Sequence, residues 1–165
     1  MADKGLIDLV ATVLPDAIAK ELTNLTYSYT PANASEKWVY KLANVTGSSA
    51  KLLESNFASN AIGIDAGSRN AETADSDICR FIFIQNTGTT NGTVATSDSI
   101  YVIFDGGTAA HNVVDGVEIP SGMSWYARLP NTTLANIMAT TGTPNGAADS
   151  SAAVQCVIAA IIDDV

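Results

Sequence analysis

The side chain with the widest catalytic repertoire occurs once. His111 is the only histidine in 165 residues, so any Ser-His-Asp arrangement must use it, and a histidine metal cluster cannot form within one chain. Asp105 and Asp115 lie near it in sequence. No Gly-x-Ser-x-Gly elbow is present, however, and Gly106-Gly107-Thr108-Ala109-Ala110-His111 has the make-up of a flexible loop. A loop histidine is therefore the expected role. Cys79 and Cys156 are too few and too far apart for a disulfide framework or a four-ligand zinc site. Both lie in apolar runs, Ile78-Cys79-Arg80-Phe81 and Gln155-Cys156-Val157, and are expected to be buried, reduced thiols that act as small hydrophobes.

The acidic groups give an equally negative answer. Glu72, Asp75 and Asp77, with Asp65 further back, supply the oxygens calcium prefers but miss the Asp-x-Asp-x-Asp-Gly spacing of a calcium loop. Solvated loop carboxylates are expected there. Asp163 and Asp164 read as terminal charges that keep an apolar strand end soluble. Neither Gly-x-x-x-x-Gly-Lys-Ser/Thr nor Gly-x-Gly-x-x-Gly occurs, and Gly63 with Gly67 lacks the basic residue and following helix of a phosphate cradle. The chain is thus expected to be no enzyme, with no catalytic, cofactor or metal site. Aromatics leave one binding chemistry open, stacking on the apolar faces of sugars. Trp125 and Tyr126 would point to opposite faces of a strand, and Trp38 and Tyr40 would share one. Core positions are the expectation for both pairs.

The elements that would position these residues change character once. From Lys4 to Leu22 the residues Leu6, Leu9, Val10, Val13, Leu14, Ile18 and Leu22 recur at three- and four-residue steps, which predicts an amphipathic helix broken or kinked at Pro15. Beyond Leu25 the period becomes two. Leu25, Tyr27 and Tyr29, then Trp38, Tyr40 and Leu42, alternate with their neighbours as half-buried strands do. Arg80 to Gln85 and Ile100 to Phe104 are apolar on both faces, which predicts central strands. Further strands are expected at Asn112 to Val114, Gly116 to Ile119, Ser124 to Leu129, Leu134 to Ala139 and Ala153 to Ile162. Turn signals separate them at Asn86-Thr87-Gly88, Asn91-Gly92, Asp105-Gly106-Gly107, Pro120-Ser121-Gly122 and Pro144-Asn145-Gly146. Crossover helices are missing. The expected fold is all-β, an antiparallel β-sandwich of jelly-roll or related Greek-key type. Its expected domains are an N-terminal helical arm over residues 1–24 and a sandwich over 25–165. An irregular excursion is expected at about 46–76, with only Ala61-Ile62-Gly63-Ile64 strand-like.

Composition sets the outer limits. A hydrophobic content of 47% supports a sizeable core and argues against wholesale disorder. Seventeen acidic residues against eight basic give a net charge of −9, so no direct nucleic-acid partner is expected. No apolar stretch approaches the roughly 18 residues needed to span a bilayer, and the N-terminus lacks the pattern of a signal peptide. A soluble protein made in a cytoplasm, with no membrane partner, is expected. Asn-x-Ser/Thr sequons begin at Asn24, Asn33, Asn44, Asn91 and Asn131, which a Thr- and Asn-rich β protein meets by chance.

Three stretches carry a likeness: Ser99 to Gly107, with its Phe104-Asp105-Gly106-Gly107 ending; Val117 to Trp125, with Ile119-Pro120-Ser121-Gly122-Met123-Ser124; and the final run Val154 to Val165. Together they resemble small β-sandwich structural proteins of tailed bacteriophages. In those proteins a strand ending in an Asp-Gly turn precedes an Ile-Pro-x-Gly-x-Ser turn, a Thr-rich segment and a last apolar strand. The likeness covers about residues 78 to 165 and consists of turn chemistry. It implies a virion component synthesised in a bacterial host cytoplasm, above all a decoration or cement protein on the capsid exterior. Such a protein would self-associate as a homotrimer and bind the major capsid protein. Leu6, Leu9, Val10, Val13, Leu14 and Ile18 are the expected partner interface. A tail, neck or head-fibre component, or a glycan- or receptor-binding sandwich, is the alternative.

Overall fold

Period-two stretches become strands in this chain because alternate residues find an apolar layer on one side only. A computed structural model describes residues 5–12, 21–29, 36–53, 76–113 and 116–163. The chain divides into two compact units, Met1–Ala34 and Ser35–Val165.

The first unit is a two-stranded antiparallel ribbon. Strand β1 (Gly5–Thr12) pairs with β2 (Glu21–Tyr29), from Gly5 opposite Tyr29 to Thr12 opposite Glu21, with an irregularity at Ala11/Thr12. The expected helix is therefore replaced by strands at both of its ends, while residues 13–20 lie outside the described residues. Two physical reasons account for this. Pro15 leaves too few residues on its N-terminal side for a helix, which needs about 12–15 to be even marginal on its own. The adjacent pairs Leu6-Ile7 and Leu9-Val10 also satisfy a strand, and pairing with β2 supplies non-local backbone partners. Leu25 to Tyr29 forms the strand its alternation predicts, but in this ribbon instead of in the sandwich.

The second unit holds two four-stranded antiparallel sheets. The strands are β3 (Glu36–Val45), β4 (Ala50–Lys51), β5 (Ile78–Asn86), β6 (Ser99–Ile103), β7 (Val117–Ile119), β8 (Ser124–Thr133), β9 (Met138–Gly142) and β10 (Val154–Asp163). One sheet has the order β3-β10-β5-β8 and the other β4-β9-β6-β7. The expected all-β sandwich is present in this coarse sense, and β5 and β6 are inner strands, as their two-sided apolar runs predict. Asn112 and Val113 are not a strand; Val113 donates its N–H to the Ala110 carbonyl in a turn. Leu134–Asn136 forms a 3-10 turn before β9. Residues 54–75, with the strand expected at 61–64, lie outside the described residues.

Between the sheets lies one apolar core built from Ile82, Ile84, Ile100, Val102, Ile119, Leu134, Ile137, Ile158 and their neighbours. Fully burying each such side chain is worth about 1.5–3 kcal/mol. Both cysteines sit in this layer as free thiols, as expected. On β3 the alternation is as expected, yet Val39 and Val45 face the core while Leu42 is 51% exposed. Trp38 instead packs edge-on against Phe81, whose ring centre is 5.7 Å away, and Phe81 meets Tyr126 at 6.5 Å. These aromatics stand on the opposite face of the sheet.

Candidate functional site

Antiparallel pairing gathers four connections at one end of the sandwich. Val45 pairs with Val154, Cys156 with Asn86, and Gln85 with Ser124, while Ser99 pairs with Gly142 and Ile100 with Ile119. The β3–β4, β5–β6, β7–β8 and β9–β10 connections must therefore emerge together. Hydrogen bonds lace them into one surface. Asn86, fully buried, donates its side-chain N–H groups to the carbonyls of Asp98 and Ile119 and accepts from the Gly88 N–H. Asn86 N–H reaches the Met123 carbonyl, while the Gln155 carbonyl accepts from the Thr87 N–H and the Gln155 N–H donates to the Thr89 carbonyl. Ser121 Oγ donates to the Thr96 carbonyl at 2.7 Å, and Ser150 Oγ to Asp98 Oδ2 at 2.5 Å.

The tip at Asn91-Gly92 is built the same way. Asn91 Oδ1 accepts from the N–H groups of Thr93 and Val94 and from the Thr93 hydroxyl. Gly92 takes the left-handed conformation the turn requires, at φ 86°, and donates to Thr89 Oγ1. This fixed hairpin holds Val94 out at 56% exposure, and the neighbouring turn holds Met123 out at 59%.

His111 joins this end from the β6–β7 connection, which is tied back by the Ala109 N–H donating to Ser49 Oγ at 2.8 Å. Its Nδ1 lies 2.5 Å from Asp149 Oδ1. Sequence proximity pointed to Asp105 and Asp115. Asp105 instead accepts from the Gly107 N–H in a local turn, and Asp115 lies outside the described residues. The true partner is 38 residues away, and no local spacing signals it. A Cβ on Gly142 would stand 2.8 Å from the Tyr101 ring and 2.9 Å from His111 Cβ, so only glycine lets these two approach the β9 backbone.

Behind this end a polar group locks the outer side of the second sheet. Tyr101 Oη donates to the Thr143 carbonyl at 2.6 Å and accepts from the Gly146 N–H. Glu118 Oε1 accepts from Ser99 Oγ at 2.7 Å and from the Asn145 N–H at 2.8 Å. Burial pushes the Glu118 carboxyl up, but the bonds from Ser99, Asn145 and Tyr101 outweigh it and hold the group below its ordinary range. Burial and the Glu118 carboxylate raise the Tyr101 phenol, outweighing the bond from the Gly146 N–H.

Elsewhere the predicted positions divide. Desolvation pushes the thiols of Cys79 and Cys156 up to about 12, which makes them poor nucleophiles at neutral pH. Asp77 is buried, not solvated, and Glu72, Asp75 and Asp65 lie outside the described residues. Asp163 is also buried. It takes the Arg80 guanidinium at 3.0 Å from Nε and 2.6 Å from Nη2, while Nη1 donates to the Pro130 carbonyl. A register shift at Arg80 on β5 produces this clamp, because the extra residue is turned out of the ladder toward β8 and β10. Trp125 is stacked on Phe104 with ring centres 5.2 Å apart and packs against the core, while Tyr126 lies on the opposite face. Of the expected interface, Leu6, Leu9 and Val10 are in β1, while Val13, Leu14 and Ile18 lie outside the described residues.

Among the described residues no three His, Cys, Asp or Glu side chains gather as a metal site, and no helix is long and apolar enough to cross a membrane. A cleft of about 250 Å3 opens beside β3 and β4, and its lining holds no carboxylate, histidine or cysteine. What the arrangement offers chemically is a rigid, hydrogen-bonded contact surface. Comparison of the chain with protein-family models, with curated proteins and with solved structures finds no match.

Proposed function

We propose that this chain is a non-enzymatic structural protein of a phage virion, a decoration or cement protein that binds the major capsid protein on the capsid exterior as a symmetric trimer. The strand order carries this reading. Counted from β3, the eight strands follow 1-8-3-6 in one sheet and 2-7-4-5 in the other, an order that supports a jelly-roll reading, the architecture of viral capsid and lectin domains. Support also comes from the turns behind the phage likeness. Asp105-Gly106 follows β6 after Phe104, with Gly106 at φ 82°, and Pro120-Ser121-Gly122 joins β7 to β8 with Gly122 at φ 76°. The lectin branch draws no support from Trp125, which is stacked on Phe104.

Cementing needs many weak contacts that act together, and a closed oligomer on a symmetry axis supplies them. The ribbon of β1 and β2 takes over the anchoring role expected of a helix. A two-stranded ribbon is marginal alone in water, so it gains most from a surface to pack on. Co-sedimentation with undecorated capsids of tailed phages tests the proposal. Saturation near one trimer per local threefold site is expected, and a folded protein that ignores such capsids would overturn it. Removing residues 1–34 should leave a β-rich, cooperatively melting domain without capsid binding; retained binding removes the ribbon from the anchor role.

A further inference from the structure

The loop end has a composition unlike the rest of the chain. Residues 46–50, 87–97, 119–127 and 140–148 contain no Asp, Glu, Lys or Arg. At an overall charged content of 15%, stretches of that combined length would ordinarily hold several charges. Of the carboxylates at their borders, Asp98 is engaged by Ser150 and Glu118 by Ser99 and the Asn145 N–H, while Asp149, held by His111, stands exposed at the rim. Within this neutral surface stand two exposed apolar side chains, Val94 and Met123. Their supports are joined, since Ser121 donates to Thr96 on one side and Asn86 N–H reaches the Met123 carbonyl on the other.

Such a surface is preorganised for contact, because little loop entropy remains to be lost when a partner binds. Charge decides which partner fits. A polyanion is repelled by a chain carrying −9, and a basic partner would gain most at acidic surface elsewhere. A second copy of the same chain carries the same −9. It can approach closely only where no carboxylate has to be buried against another. We infer that the loop end bearing Val94 and Met123 is the self-contact through which copies of this chain associate. This rests on the reading of the protein as a self-associating structural component and adds the surface that does it.

Sedimentation velocity on the full chain, at about 1 to 100 µM and at low and high salt, provides the test. Val94→Asp and Met123→Asp each place a charge in the patch and should weaken association by about tenfold or more. Val94→Ser serves as a milder variant with a smaller loss in the same direction. Asn131→Asp places the same charge at an exposed position at the other end of β8, and should associate like the parent. Salt screens the repulsion between like-charged copies, so association should tighten several-fold between low and high salt. A parent chain that stays monomeric throughout, loop variants that associate like the parent with unchanged circular dichroism and melting, or an association weakened by salt would each overturn the assignment. Capsid co-sedimentation separates the two failures. A protein that binds capsids but associates through another surface loses only this inference, whereas one that does neither loses the proposed function as well.

Discussion

The two sheets of the sandwich share one core and cover their outer sides by opposite means. The β3-β10-β5-β8 sheet has strands of nine or ten residues, and its outer side carries Trp38, Phe81 and Tyr126 in ring contact, with the Arg80–Asp163 clamp at one end. The β4-β9-β6-β7 sheet has strands of two to five residues, and its outer side is held to a connection folded over it by Tyr101, which donates to the Thr143 carbonyl, and by Glu118, which accepts from the Asn145 N–H and is braced by Ser99. Long strands form enough ladder bonds to tolerate an apolar outer side. Short strands leave more of the backbone in connections, which must be satisfied by side chains. The first sheet is therefore expected to depend on packing, and the second on protonation state.

The largest effect should come from Phe81→Ala. Phe81 is 1% exposed, and its loss should cost about 3–5 kcal/mol, read as a lower denaturant midpoint at every pH between 5 and 8. Arg80→Ala should cost about 1.5–3 kcal/mol by stripping the buried Asp163 of its cation. Arg80→Lys should restore only part of this, because an ammonium cannot reproduce the fork that meets both Asp163 and the Pro130 carbonyl. If Phe81→Ala changed the acid dependence more than the midpoint, the division between the sheets would fail.

Glu118→Gln sharpens the comparison from the other side. A carboxyl held below its ordinary value contributes stability that is present above the unfolded value near 4.5 and is lost as pH falls through the folded one. The variant should lose about 1 kcal/mol near pH 7 and show a flatter decline in the acid. An unchanged acid profile would show that the second sheet does not depend on this group. Tyr101 runs the opposite way. Its phenol is raised above 10, so its contribution is complete below that value and disappears as pH climbs through the folded one; Tyr101→Phe should remove that alkaline step.

The smallest effect concerns the shared core and the loop histidine. Cys79 and Cys156, both buried, should resist a thiol reagent at pH 8 in the native protein and react together upon unfolding. His111→Ala should cost less than about 1 kcal/mol, because Asp149 is 72% exposed and water competes for it.

Period-two runs located β3, β5, β6, β8 and β10, and their two-sided apolar character placed β5 and β6 inside their sheets. Gly and Asn marked the turns because left-handed backbone has few other tenants, as at Gly92 and Gly122. The N-terminal segment shows where such signals fail. Leu6, Leu9 and Val10 satisfy a three-to-four period and a strand alike, and the choice was made by β2, a partner no local window contains. The same blindness hid the candidate site. Glu118 meets Asn145 27 residues away, and Ser121 meets Thr96 across 25.

From its residues alone the chain was bound to be a β protein with one apolar core, inert thiols and an excess of negative charge, since alternation, hydropathy and charge are local properties that survive in any arrangement of strands. Strand order, the face each side chain takes and the gathering of a charge-free loop end depended on the tertiary structure. Several pairings satisfy the same alternation, and only close packing of the two sheets selects one.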